Sequence, residues 1–281
     1  MSSPIKTYCI IGDPVQHSLS PVMQNSAFSA LGINSSYISF RVPSRELKTS
    51  IESLKSIGIA GFNVTLPHKI SILPYLDELD NTASKSNAVN TVKNEGGKLI
   101  GYNTDLYGFI QPLYKRNIDF KGIKVLIIGA GGAAYAIVTA LSYEKEIGEI
   151  IIVNRSSQNA SILVQHGLKL GLNIHKEDFN NLPKLALQSD LIVNATSIGL
   201  NNEISPIGRD NINPKCIVYD IVYKPIITDL LGKAKDVNAK VVYGYEMLLA
   251  QGAQAFKIWT GLDAPIHAMK KALFGIFGEP Q

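Results

Sequence analysis

Cysteine is nearly absent: 281 residues contain two, Cys9 and Cys216, each inside an apolar run. They form no C-x-x-C pair and have no metal-ligand spacing, which excludes a disulfide-stapled scaffold and a cysteine metal centre. Two small buried thiols in a reduced, cytoplasmic setting fit this usage. Histidine is also scarce. His68, His166, His175 and His267 lack metal or base spacing, and His17 reads as a structural loop residue, so no metal is expected. Charged residues make up 18% and net +4, with no run of Lys and Arg. Nucleic acid is therefore not an expected partner, whereas an anionic small molecule is compatible. The first eight residues hold no apolar core of signal-peptide length. Long apolar runs are missing too, with one exception. The 19 residues 125–143 carry no charge. They nominally suffice for a membrane span, but Gly129, Gly131 and Gly132 interrupt them, and strand, glycine turn and helix explain the run better. No membrane partner is expected.

What the chain does have is a hydrophobic content of 46%, enough for a well-buried core, and a length that accommodates two domains. Short apolar runs alternate with amphipathic helical stretches, which predicts α/β architecture with largely parallel sheets. Strands are expected at 8–12, 37–41 and 60–65, and helices at 20–31 and 46–57. Residues 86–103 read as strand, turn and strand around Glu95-Gly96-Gly97-Lys98. A helix over 105–116 leads into strands at 124–128, 149–153, 190–194 and 216–221, continued at Val241 and Val242. Helices follow at 246–259 and 266–277. This order predicts a discontinuous first domain, 1–104 plus 245–281, with a nucleotide-binding domain, 105–244, inserted as a doubly wound, Rossmann-type parallel sheet.

The inserted domain opens on Gly129-Ala130-Gly131-Gly132-Ala133-Ala134, a G-x-G-x-x-A fingerprint with a strand before it and a helix after it. Gly129 permits the tight turn, Gly131 lets backbone approach a pyrophosphate, Ala134 allows close helix–sheet packing, and the helix start offers free N–H groups. The next strand ends in Asn154-Arg155-Ser156-Ser157. A carboxylate here would suit a free ribose 2′-hydroxyl. Arg155 with two serine hydroxyls suits a 2′-phosphate instead, so NADP is favoured over NAD.

The first domain carries Gly61-Phe62-Asn63-Val64-Thr65-Leu66-Pro67-His68-Lys69 and, later, Asn103-Thr104-Asp105. Asn63 and Thr65 are two apart on an extended segment and point to one side. Pro67 permits a helix start with Lys69 in its first turn. Amide, hydroxyl, amine and carboxylate together suit a polyhydroxylated substrate and proton transfer to one of its hydroxyls, although a lysine at a helix start is often merely solvated. Ser18 and Ser20 stand two apart before a helix, with Ser20 as N-cap and Pro21 at the first helical position. They read either as an ordinary capping pair or as a carboxylate site.

These segments resemble the shikimate dehydrogenase family. The likeness spans essentially the whole chain and is carried by Ser18-Leu19-Ser20-Pro21, the 61–69 segment, Asn87-Ala88-Val89-Asn90-Thr91, Gly101-Tyr102-Asn103-Thr104-Asp105, the glycine fingerprint and Asn154-Arg155-Ser156. It continues through Asn194-Ala195-Thr196-Ser197-Ile198-Gly199, Asp220-Ile221-Val222-Tyr223-Lys224-Pro225 and Met247-Leu248-Leu249-Ala250-Gln251. The resemblance implies reversible, NADP-dependent reduction of 3-dehydroshikimate to shikimate in aromatic amino-acid (chorismate) biosynthesis. Lys69 and Asp105 would be the catalytic pair, and Ser18, Ser20 and Tyr223 would hold the substrate carboxylate. Asn63, Thr65, Asn90 and Gln251 would bind or orient ring hydroxyls. Thr196, Ile221, Gly244 and Met247 would border the nicotinamide or ribose. A quinate or dual-specificity dehydrogenase is the alternative enzyme, a non-catalytic ligand sensor on the same fold is the alternative of another class, and a homodimer is a possible assembly. Two departures stand out. The family often places a second basic residue shortly after Asn154-Arg155-Ser156. This chain has Ser157, Gln158 and Asn159, leaving Arg155 alone at the 2′-phosphate. It also carries Gln24-Asn25 where His-Asn is common, a change expected to matter little.

Overall fold

The computed structural model describes residues 5–278 and divides into two compact units. One comprises the chain up to Gly108 together with Leu249–Gly278; the other is Phe109–Leu248. Both divisions fall four residues past the expected ones (108 against 104, 248 against 244) and inside helices. Residues 1–4 and 279–281, which the sequence reading assigned to the first domain, lie outside the described residues.

In chain order the first unit contains β1 (Lys6–Gly12), α1 (Ser20–Ala30), β2 (Ser35–Arg41), α2 (Leu47–Ser56), β3 (Gly61–Val64), α3 (His68–Ser71), β4 (Glu78–Leu79), α4 (Asn81–Ser86), β5 (Thr91–Glu95) and β6 (Lys98–Tyr102). Helix α5 (Asp105–Tyr114) leads into the second unit. There follow β7 (Lys124–Ile128), α6 (Gly132–Leu141), β8 (Glu149–Val153), α7 (Ser157–Lys169), β9 (Ile174–Glu177), α8 (Leu182–Leu187), β10 (Leu191–Asn194), β11 (Ile217–Asp220), α9 (Asp229–Asp236) and β12 (Lys240–Val242). Helix α10 (Gly244–Thr260) returns the chain to the first unit, which α11 (Ile266–Phe277) completes.

The first sheet runs β2-β1-β3-β5-β6-β4. It is mixed rather than largely parallel. β1 pairs in parallel with β2 and β3, whereas β5 is antiparallel to both β3 and β6. The β5–β6 hairpin accounts for the difference: Gly96 and Gly97 sit at φ +62° and +93°, positive values that two-residue hairpin turns require and glycine supplies without strain. Its core joins Cys9, Ile11, Phe62, Val64 and Val92 from the strands to Leu47, Ile51 and Leu54 of α2, whose spacing marks one helix face. The C-terminal segment closes the other side. Trp259 donates its indole N–H to the Val92 carbonyl at 2.9 Å and packs against Tyr8 at 5.1 Å between ring centroids.

The second sheet is parallel throughout, in the order β12-β11-β10-β7-β8-β9. Counted within the unit this is 6-5-4-1-2-3, the doubly wound order in which ligands bind beyond the strands' carboxyl ends where the winding reverses, here between β7 and β10. Every strand from β7 to β11 except β9 is nearly all apolar and buried, as parallel strands covered on both faces must be. β9, an edge strand reading Ile174-His175-Lys176-Glu177, buries Ile174 alone. It offers no apolar run, and the sequence reading missed it.

Candidate active site

In the first unit, β3 ends at Val64 and α3 starts at His68, so Pro67 flanks the helix rather than opening it, and Lys69 is its second residue. α5 begins at Asp105, where the helix start favours a carboxylate. These two starts bring Lys69 Nζ within 2.6 Å of Asp105 Oδ2, with side-chain exposures of 15% and 6%. The other carboxylate oxygen accepts from Asn90 Nδ2 at 2.8 Å. Asn90 also lies 3.4 Å from Gln251 Oε1 and takes the Thr104 backbone N–H on its own oxygen at 2.8 Å. Asn63 donates to the Asn90 carbonyl at 3.0 Å and to Thr91 Oγ1 at 2.9 Å. Thr65 is half-buried just past β3. Lys69, Asp105, Asn63, Asn90 and Gln251 therefore form one connected polar cluster.

The serine pair behaves differently from the expected cap. α1 begins at Ser20, with Leu19 at the N-cap position and no side-chain cap. Ser18 Oγ instead accepts the Ser20 backbone N–H at 3.3 Å. The Ser20 side chain interacts with Tyr37, whose hydroxyl donates to Asn63 Oδ1 at 2.6 Å. Tyr37 is buried to 1% exposure. Its backbone N–H and C=O both pair with the Asn25 side chain at 2.8 Å, which fixes the ring's place on β2. Sequence reasoning missed this tyrosine, which links the serine loop to the amide cluster.

In the second unit Gly129 has φ +112°, and a Cβ there would meet Thr196 Cγ2 at 2.8 Å and the Ala195 carbonyl at 3.0 Å. Both the turn and the close approach demand glycine. Gly131 occupies the N-cap of α6 without a capping side chain, and a Cβ on it would meet nothing within 4 Å. The helix start is thus open over bare backbone, which fits a pyrophosphate. Gly132 is buried as the first residue of α6, and Ala130 and Ala133 are half-buried beside it. At the end of β8, Asn154 Nδ2 donates to the Ser156 carbonyl at 2.9 Å, Ser156 Oγ caps α7 through the Asn159 N–H, and Arg155 is exposed. Thr196 donates to Asn194 Oδ1 at 2.6 Å. Gly244 lets α10 begin against the segment after β11, since a Cβ would sit 2.4 Å from the Val222 carbonyl oxygen. Ile221 and Tyr223 are half-buried in that segment, and Met247 is buried on α10.

Three family models match in order along the chain: the shikimate dehydrogenase substrate binding domain over residues 10–92, shikimate/quinate 5-dehydrogenase over 113–215 and the shikimate 5′-dehydrogenase C-terminal domain over 244–274. A shikimate dehydrogenase (NADP(+)) of Nitrosopumilus maritimus is 51% identical over 272 residues, covering 97% of this chain and 99% of that protein. The chain belongs to the shikimate dehydrogenase family. Solved shikimate dehydrogenases superimpose on it along nearly their whole length. One, in complex with NADP+, has a TM-score of 0.89 at 39% identity, covering 98% of this chain and 96% of that one. A second, from Listeria monocytogenes in complex with shikimate and NAD, has a TM-score of 0.86 at 35% identity, covering 98% and 99%.

Asp220, to which the sequence motifs assign no role of its own, organises the loops after β10 and β11. It is fully buried at the end of β11. Asn194 Nδ2 and the Val222 N–H donate to one carboxylate oxygen at 2.9 and 3.0 Å, and Thr228, the cap of α9, donates to the other at 2.7 Å. Asn194 in turn orients Thr196, so one carboxylate holds the loops after β10 and β11. Burial pushes the Asp220 carboxyl up to about 6, against the three hydrogen bonds that favour its charge. The folded state therefore binds the proton more tightly than the unfolded chain. The cost of ionising Asp220 is absent below about pH 4 and complete above about pH 6, roughly 3 kcal/mol for two pKa units. Asp220→Asn is expected to gain stability relative to the parent as pH rises from 4.5 to 7.5, read from urea unfolding midpoints. A constant difference across that range would show that Asp220 does not titrate there.

Proposed function

We propose that this protein is an NADP-dependent shikimate dehydrogenase that reversibly reduces 3-dehydroshikimate to shikimate in aromatic amino-acid biosynthesis. The observation that carries the proposal is the Lys69–Asp105 pair at 2.6 Å inside a network of neutral amides and hydroxyls. One proton-bearing group is held firmly, and its neighbours suit a ring of hydroxyls. NADP, when bound, supplies or accepts the hydride. Lys69 Nζ, with two N–H bonds beyond the one on Asp105, donates its proton to the oxygen that becomes the new hydroxyl and recovers it in the reverse direction. Asp105 anchors that ammonium and accepts from a neighbouring ring hydroxyl. Asn63, Thr65, Asn90 and Gln251 orient the ring, and Ser18 and Ser20 take the substrate carboxylate. Arg155, Asn154 and Ser156 serve the adenosine end of the cofactor. Gly129 to Ala133 serve its pyrophosphate, and Thr196, Ile221, Gly244 and Met247 its nicotinamide half. Among the described residues no helix is long and apolar enough to cross a membrane, and both cysteines are free and buried, which supports a cytoplasmic setting.

A matrix of shikimate and quinate against NADP and NAD, followed by the near-ultraviolet absorbance of the reduced nicotinamide, tests the proposal. Shikimate with NADP is expected to dominate, with quinate disfavoured by about 10²-fold in kcat/KM, the order that fit alone achieves against an added hydroxyl. Equal efficiencies for the two acids would assign the dual activity. Absence of turnover in every combination would refute the enzyme reading.

A further inference from the structure

We infer that Lys176 is the second cation of the 2′-phosphate site and sets the preference for NADP jointly with Arg155; the inference rests on the reading that this unit binds NADP. Nothing near Arg155 in the sequence supplies another positive charge, because Ser157, Gln158 and Asn159 follow. The fold supplies one from a different strand. β9 lies parallel to β8, with Lys176 opposite Ile152, so Lys176 stands beside the strand that ends in the Asn154-Arg155 loop. Its ammonium lies 2.7 Å from Ser157 Oγ and 3.5 Å from the Ser157 carbonyl oxygen. It thus reaches a residue two positions from Arg155 across a gap of 19 in sequence.

The electrostatics of this arrangement favour an anion. α7 has no acidic residue in its first turn, and a helix start carries the positive end of the peptide dipoles, where a cation is disfavoured. Yet an exposed lysine is held there and an exposed arginine precedes it. Neither forms an ion pair among the described residues. The nearest acid along the strand, Glu177, is occupied by Asn181 Nδ2 at 3.0 Å. A phosphomonoester, carrying up to two negative charges and three acceptor oxygens, neutralises both cations at once. NAD, with a hydroxyl at the same position, does not. Lys176 would then be a specificity-determining residue, acting on the cofactor and not on the reacting carbon.

The test is calorimetric titration of the full-length protein with adenosine 2′,5′-bisphosphate and adenosine 5′-monophosphate, two probes that differ by the 2′-phosphate and require no turnover. The parent protein is expected to bind the bisphosphate more tightly. Lys176→Ala should weaken the bisphosphate by about tenfold or more, the range of a charge-assisted hydrogen bond, and leave the monophosphate unchanged. Lys176→Arg should retain the preference, and the Arg155→Ala/Lys176→Ala double variant should bind the two probes alike. Equal weakening of both probes by Lys176→Ala would show that the lysine only supports α7 and would overturn the inference. So would an unchanged bisphosphate affinity. A parent protein that binds the two probes equally would overturn the cofactor reading itself, a result distinct from both.

Discussion

Lys69→Ala is expected to lower kcat for shikimate oxidation by about 10²–10⁴-fold, the usual loss on removing one general acid or base, while the shikimate KM moves much less. The asymmetry follows from the surroundings. On the proposed reading Asn63, Asn90 and Gln251 remain to bind the ring, and Ser18 and Ser20 lie on another segment, so ground-state binding is expected to survive. What disappears is the only ammonium the cluster places against Asp105. The substitution also leaves a carboxylate at 6% exposure without its partner, which is costly for a buried charge. A lowered melting temperature should therefore accompany the loss of turnover. Steady-state kinetics below that temperature separate the two effects. A variant turning over at near-normal rate would remove Lys69 from the chemistry.

Asp105→Asn is expected to reduce kcat by about 10²-fold or more, although the side chain keeps its shape. Asp105 accepts on both oxygens, from Lys69 and from Asn90. An amide can accept on one side only, and its N–H₂ then faces another donor. If it turns toward Lys69, two donors oppose each other and the ammonium leaves its place. If it turns toward Asn90, that amide must rotate and disturb Thr104 and Thr91, which bond its oxygen. Because the pair acts as a unit, the Lys69→Ala/Asp105→Asn double variant should be little worse than Lys69→Ala alone. Additive losses on the logarithmic scale would show that the two residues act independently.

Much of this was legible in the chain. Alternating apolar runs and helical stretches fix the α/β architecture, and the fingerprint from Gly129 to Ala134 spans the turn after β7 and the first residues of α6, as its glycines require. What stayed hidden had a common cause, which is contact between residues distant in sequence. Tyr37 looks like an ordinary strand aromatic until β2 sets its hydroxyl between Ser20 and Asn63, 26 positions from the latter. Asp220 sits at the end of an apolar run, and only the parallel register with β10 shows that it faces Asn194. Lys176 is invisible because its strand is polar and short, with no period to betray it. The serine pair shows the converse failure. Spacing alone suggests that Ser20 caps α1, but the helix starts one residue earlier than that role allows, which leaves the hydroxyl for Tyr37.

The return of the chain through α10 also dictates an order of assembly during synthesis. The second unit is encoded continuously, and all its strands have been made by Val242. The first unit has all six strands by Tyr102, yet the side away from α2 stays uncovered until Trp259 reaches the Val92 carbonyl, Gly252 receives Gln24 Nε2 at 2.9 Å and α11 packs on α1. A nascent chain must therefore carry a six-stranded sheet covered on one side only while the whole inserted unit is built, an exception to the tendency of N-terminal domains to finish first. Apolar surface left uncovered there, including Tyr8 on β1 and Phe28 on α1, is what a chaperone would meet during the interval, and the Lys69–Asp105 cluster gains Gln251 only at its end.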